Sequence, residues 1–286
     1  MRRLPLAGDL TPSPRAAQRA VVRADGTATT DRVVVEEPLE IRLAGAPIAV
    51  TMRTPPGASD DDLDLAAGFL FTETALTSAA DFGAIAYSTR ADDKERRNVV
   101  EVTPAPGARF AVDKAQRSFY SASSCGLCGK ATLDAIAVKV APIDRESDST
   151  VFSRSILDSM PGAMRAAQAT FDATGGLHAA ALFDATGALV VVREDIGRHN
   201  ATDKVIGARL RGGHLPLTGH ALLVSGRAGF EIVQKAAVAR IPLLAAVSAP
   251  SSLAIDLAER LGVTLVAFLR PPKWGIYAHP WRIARD

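Results

Sequence analysis

Cys125 and Cys128 are the only two cysteines among 286 residues. With two residues between them they close too small a loop to staple a chain of this size, so reactivity or metal binding is the better reading of Cys125-Gly126-Leu127-Cys128. The pair follows the polar run Ser121-Ala122-Ser123-Ser124 and precedes Gly129, after which Leu133, Ile136, Ala137 and Val140 recur at helical spacing. That pattern predicts a loop entering a helix. A thiolate at such a position is stabilised by free backbone N–H groups and the positive end of the dipole, which lowers its pKa and raises its reactive fraction. Lys130 adds a cation, and Gly126 and Gly129 leave the sulfur accessible. Such a thiolate can attack a persulfide or a disulfide while the second cysteine resolves or shields the product.

Other readings of the pair stay open on the residues alone. A bare C-x-x-C is half of a tetrahedral zinc site, and no second pair exists to complete it. A thioredoxin-like redox pair expects a βαβ unit just ahead of the motif, which the pattern does not display. Two incidental buried residues would sit in an apolar stripe, and these do not. A zinc deaminase joins H-x-E to P-C-x-x-C. Here Ala179 and Ala180 follow His178, Ser124 stands in the proline's place, and the cysteines precede the histidine. The catalytic parts of a deaminase are therefore missing.

Further candidates lie in the second half. Arg193 through Asn200, followed by Asp203 and Lys204, gathers polar and ionisable residues after an apolar strand. At a strand-to-helix turn this is either a ligand site or a capped helix start with ion pairs. Asp195 and His199 could assist proton transfer there. Ser225-Gly226-Arg227-Ala228-Gly229 lies between a strand and a helix, where its N–H groups could cradle a phosphate with Arg227 as the cation. It matches neither the Walker pattern nor the dinucleotide fingerprint. Ser248-Ala249-Pro250-Ser251-Ser252 reads as a helix cap. The tail carries Arg270, Lys273, His279, Arg282 and Arg285, with Trp274, Tyr277 and Trp281 able to stack on a flat ring. It reads equally as a C-terminal strand with a basic edge.

These residues need elements to hold them. Residues 1 to about 30 lack apolar periodicity and are expected to form a mobile arm. Residues 31–150 form a β-rich part: strands through Val33–Val35, Leu39–Leu43 and Ile48–Met52, a helix after Ser59 whose acidic first turn suits its dipole, short strands near Ile85 and Val99–Val102, then the cysteine loop and its helix. Residues 151–286 are expected to form an α/β domain. A helix over Ser155–Ala169, kinked or started by Pro161, precedes a hairpin of His178–Phe183 with Leu189–Val192. Helices Ala201–Leu210, Glu231–Ala239 and Leu253–Leu261 then alternate with strands Ala221–Val224, Leu243–Val247 and Val263–Phe268. Alternation with continuous apolar strands predicts a largely parallel sheet covered on both faces. With a net charge of +2 and 48% hydrophobic residues, the composition indicates a soluble globular protein and gives no warrant for nucleic acid as the main partner. No apolar run approaches the about 20 residues of a spanning helix, and prolines interrupt the segment after Met1-Arg2-Arg3. The expectation is a cytoplasmic protein with its cysteines reduced and no membrane segment.

Taken together, Ser124 to Gly129, Thr174-Gly175-Gly176-Leu177-His178-Ala179-Ala180, Arg193 to Lys204, Ser225-Gly226-Arg227 and Tyr277-Ala278-His279-Pro280 resemble the FdhD-type formate dehydrogenase accessory sulfurtransferases, in that family's order. The resemblance implies an α/β fold with a cytidine-deaminase-like mixed sheet flanked by helices and a smaller β-rich N-terminal part. It implies a sulfurtransferase: a sulfur carrier that accepts a persulfide from a cysteine desulfurase and passes sulfur to the molybdenum bis-guanine-dinucleotide cofactor, as formate dehydrogenase activity requires. By position Cys125 matches the persulfide-bearing cysteine and Cys128 its partner. Phe268, Leu269, Arg270, Pro271, Pro272 and Lys273 match the cofactor-binding segment, although family members often carry a glycine after the arginine. Arg227 and His199 are counted with that segment as cofactor-binding residues. A homodimer and no permanent metal are also implied. Two alternatives from other classes are a chaperone that binds the molybdenum cofactor without transferring sulfur, and a thiol oxidoreductase.

Overall fold

A computed structural model describes residues 15–57, 60–90, 97–110 and 140–284. The chain opens with a ribbon of β1 (Ala16–Val22) and β2 (Ala28–Val34), paired antiparallel. Asp25 closes its turn by accepting the Thr27 N–H at 2.9 Å, and Gly26 takes the positive φ that the turn demands. From Ala16 onward, therefore, the expected arm is a hairpin. The sequence marks only the end of β2, at Val33 and Val34, as strand-like; most of the ribbon's residues are exposed, so no buried face imposes an alternation on them.

The next unit is a four-stranded sheet of β3 (Glu37–Leu43), β4 (Ala46–Arg53), β5 (Phe82–Tyr87) and β6 (Val99–Pro104), in the order β4-β3-β6-β5. The period-two placing of Leu39, Ile41 and Leu43 turns these residues inward, where they meet Leu65, Ala66 and Leu70 of α1 (Asp61–Thr72). The strands expected in this part are all present.

The C-terminal sheet runs β12-β11-β10-β9-β7-β8. Its strands are β7 (His178–Phe183), β8 (Leu189–Asp195), β9 (Ala221–Val224), β10 (Leu243–Ala246), β11 (Thr264–Arg270) and β12 (Lys273–Ala278). Only β9, β10 and β11 lie parallel, whereas the β7–β8 hairpin and β12 run antiparallel to their neighbours. The sheet is thus mixed, as the family resemblance implies and with the β7–β8 hairpin as expected, rather than largely parallel as the alternation alone suggests: apolar runs mark strands buried on both faces but carry no sign of direction. Alternate residues sort the faces. Ala180, Leu182, Leu222, Val224, Leu244 and Leu265 meet α4 (Arg198–Arg211), α5 (Phe230–Val238) and α6 (Ser252–Leu261). Ala179, Ala181, Phe183, Leu223, Ala245 and Val266 meet Leu157, Met160 and Met164 of α2 (Arg154–Ala166) on the other face. Ser153 caps α2, so Pro161 lies in its interior rather than at its start, and a separate short α3 (Ala169–Thr174) follows. Among the described residues no helix is long and apolar enough to cross a membrane.

The two sheets are joined by α1 against α4. A Cβ on Gly68 would lie 1.9 Å from the Asp203 carbonyl oxygen, and one on Gly207 would lie 1.8 Å from that of Asp64, so backbone touches backbone. Around this crossing the aspartates of α1 do more than complement a dipole. Asp61 binds Arg15 at 2.8 Å, Asp62 binds Arg53 at 3.0 Å, and Asp64 binds Arg193 at 2.9 Å and Arg211 at 2.6 Å. On α5, Lys235 donates to Thr72, Asp203 and Glu73 at 2.9, 2.9 and 3.0 Å. Burial presses the Lys235 pKa down, but the two carboxylates outweigh it and hold the ammonium charged. Paired charges of this kind are costly to split.

Candidate functional site

Because β7 is antiparallel to both β8 and β9, strands β8, β9, β10 and β11 all point the same way. Their carboxyl ends form one edge, the place where open α/β sheets gather ligands. From this edge the chain enters α4 through Gly197, α5 through Gly229 and α6 through Ser251. The loops are laced side by side: Ala228 donates to the Ala249 carbonyl at 3.1 Å, Ser251 to that of Ala228 at 3.1 Å, and Phe268 to that of Ser248 at 3.1 Å. Ser251 caps its own helix by accepting the Ala254 N–H at 3.2 Å, as the sequence indicates. Helices α4 and α5 start at glycines and have no side-chain cap. Their first-turn N–H groups are donors available to an anion.

The polar run Arg193–Asn200 divides into braces and site. Arg193 reaches Asp64 on α1. Glu194 accepts the N–H groups of Thr170 and Phe171 at 3.1 and 2.8 Å, closing the start of α3. Asp195 is wholly buried. One of its oxygens accepts Gly197 N–H and Asn200 Nδ2, both at 2.9 Å, while the other meets Lys204 Nζ at 2.6 Å and Thr54 N–H at 3.3 Å. With both oxygens engaged and no exposure, Asp195 is not placed to exchange protons with a ligand, which corrects that part of the expectation. His199 does lie at the edge, where its Nε2 is 3.1 Å from Glu231 of α5. That contact draws the Glu231 carboxyl below its ordinary pKa.

Beside His199 stands His178 at the start of β7. Its Nδ1 is 3.4 Å from Ser225 Oγ, which itself accepts the Ala179 N–H at 2.9 Å. A Cβ on Gly226 would meet Arg198 at 3.3 Å and His178 at 3.4 Å, so glycine lets these three groups pack together. Burial, and then the charges of Arg198 and His199, push the His178 imidazole below its ordinary pKa. The sequence alone gives neither His178, part of the motif Thr174 to Ala180, nor Arg198 a ligand-binding role. The fold brings both to one point with the Ser225–Gly229 loop.

The remaining candidates vary in their fit. Arg227 is exposed on the β9–α5 loop and has no partner among the described residues. Phe268, 46% exposed with φ 54°, sits in an irregular stretch of the β11–β12 pairing, its ring centroid 6.5 Å from that of Tyr277. Arg270 is exposed and donates from Nε to the Val247 carbonyl at 3.1 Å. Pro271 and Pro272, joined by a cis bond, turn the chain, and Lys273 starts β12. Leu269 is different: its side chain is fully buried against the α2 face, so it belongs to the core and not to a ligand surface. The basic tail is also more structural than expected. Trp274 donates to Asp158 at 2.7 Å under Arg154, while Trp281 lies beneath Arg145 and the buried Arg282, which donates to the carbonyls of Gly262 and Ile143 at 2.9 Å. Each indole thus already stacks with the protein's own guanidinium groups. Cys125, Cys128 and Lys130 lie outside the described residues. Among the described residues no group of three His, Cys, Asp or Glu side chains is placed to hold a metal ion.

Residues 34–284 match the FdhD/NarQ family. Proteins called sulfur carrier protein FdhD are similar along nearly the whole chain. The one from Streptomyces avermitilis is 51% identical over 272 residues, covering 93% of this chain and 95% of its own. Its counterpart from Mycolicibacterium paratuberculosis is 51% identical over 258 residues, covering 90% and 93%. The crystal structure of a candidate formate dehydrogenase accessory protein from Desulfotalea psychrophila superposes with a TM-score of 0.72 at 25% identity, covering 94% of this chain and 98% of that one. A family match over most of the chain, relatives at half identity and a shared fold place this chain in the FdhD/NarQ family.

Proposed function

We propose that this protein is a sulfurtransferase: it takes sulfur from a cysteine desulfurase as a persulfide on Cys125, with Cys128 as partner, and passes it to the molybdenum bis-guanine-dinucleotide cofactor that formate dehydrogenase needs. The observation that carries the reading is the carboxyl edge of the C-terminal sheet, with two uncapped helix N-termini beside Arg198, Arg227 and Arg270. A cofactor bearing two nucleotide diphosphates needs such cations and N–H donors, and the exposed Phe268 offers a guanine a face to lie on. The relatives' name, sulfur carrier, supports the sulfur half of the reading. We extend the same reading to a cytidine-deaminase-like fold for the mixed sheet, supported by its β7–β8 hairpin and flanking helices, and to a homodimer working in the cytoplasm.

The test is intact-protein mass spectrometry after incubation with a cysteine desulfurase and cysteine. Wild type is expected to gain the mass of one sulfur, reversibly with reductant, and Cys125→Ala to gain none. If wild type takes up no sulfur from a competent donor, or Cys125→Ala still activates formate dehydrogenase normally, sulfur transfer on Cys125 is wrong and a cofactor chaperone replaces it.

A further inference from the structure

We infer that Asp195 is a positioning residue for anion binding: its Oδ1 fixes the β8–α4 turn so that Arg198, His199 and the α4 N-terminus face the Ser225–Gly229 loop. The inference rests on the reading of this edge as the nucleotide-binding surface. The geometry is specific. Oδ1 receives the N–H of Gly197, the residue from which α4 starts, and the amide of Asn200 one turn on, each at 2.9 Å. The Asn200 amide also donates to the Met52 carbonyl at 2.8 Å, and its oxygen lies 3.2 Å from Thr51 Oγ1. The turn is thereby pinned both to β8 and to β4 of the other sheet. Arg198 and His199 lie between the two anchored residues, so their Cα positions are set by Oδ1 without touching it. An uncapped helix start would otherwise fray, because its first N–H groups have no intrahelical partner.

The second oxygen has a separate task. Oδ2 is neutralised by Lys204 Nζ at 2.6 Å, both side chains being wholly buried. That ion pair allows a carboxylate to sit beneath the turn; the turn itself needs only an acceptor. The two tasks can be separated by substitution. Asp195→Asn with Lys204→Met keeps an oxygen for Gly197 and Asn200 and removes both buried charges. Asp195→Ala with Lys204→Met removes the charges and the acceptor together.

Affinity for guanosine diphosphate would be measured by titration calorimetry on the wild type and both double variants, with thermal melting as the check on folding. The Asn/Met protein is expected to bind within about twofold of wild type, and the Ala/Met protein about tenfold more weakly, roughly the worth of one charge-assisted contact. Equal affinities in the two folded variants would overturn the positioning role while leaving the edge as the binding surface. If wild type binds neither guanosine diphosphate nor inorganic pyrophosphate, the edge reading falls and takes the positioning role with it. Should a double variant not fold, the unmutated protein decides: the Gly197 amide resonance should shift on adding guanosine diphosphate while that of Gly187 stays, and an unmoved Gly197 would overturn the inference.

Discussion

His178 is the residue whose behaviour in solution follows most directly from its surroundings. Its imidazole is depressed below the ordinary value of about 6.5 by burial, then by Arg198 and His199. Folding therefore favours the neutral ring, and the sign follows: the stability tied to His178 is full above about pH 6.5 and is lost as pH falls through the lowered folded-state pKa. An anion bound over the edge favours the charged ring instead, so binding should take up a proton and tighten as pH drops from 8 to 6. The check is a proton NMR titration of His178, expected to have its midpoint below 6.5 in the free protein and a higher one with guanosine diphosphate bound; a free-protein midpoint at or above 6.5 would sink the argument. At this scale the sequence was informative where chemistry is written in residue type. Arg227, Arg270 and the Ser225–Gly229 loop could be picked out from it. The tasks of Arg193, Glu194 and Asp195 could not, because each depends on a partner 23 to 141 residues away, and spacing alone does not distinguish a brace from a ligand.

Among the elements, the α1–α4 crossing makes the sharpest demand. Gly68 and Gly207 permit a backbone approach that no side chain survives, since a Cβ at either site would lie within 2 Å of a carbonyl oxygen. Gly207→Ala must push the helices apart, and so strains the Asp64 and Asp203 contacts carried on them. A loss of about 3 kcal/mol or more is expected, at the upper end of overpacking costs, read as a lower denaturant midpoint at constant slope. A change of less than about 0.5 kcal/mol would mean that the helices have room to give. Most element positions were legible in the sequence: β9 has the expected limits, and α5, α6, β10 and β11 lie within about two residues of them, a normal margin for helix ends. What escaped was the antiparallel joining of β7 and β12 to the parallel strands, and the exposed ribbon of β1 and β2 apart from the end of β2 at Val33 and Val34. Neither leaves a hydrophobic period to read.

For the whole molecule, the expected division near residue 150 separates two sheets that are cemented by Asp61 and Asp64 to Arg193, Asp64 to Arg211, and Glu73 to Lys235. Parts joined by buried charge pairs and a bare helix crossing should unfold together. In urea, tryptophan fluorescence, which comes only from Trp274 and Trp281 in the C-terminal part, and far-UV circular dichroism, which sees both sheets, are expected to give one coincident transition; two separated midpoints would show the parts to be independent. The same crossing has a mechanical consequence. At Gly68 and Gly207 the two helices meet backbone to backbone, with no layer of side chains at that point to slide or repack, and ion pairs flank it; hinge and shear motions both require such a layer or a slack linker. The carboxyl edge is thus mounted on a stiff frame, and accommodation of a bulky anion falls to the side chains along its rim.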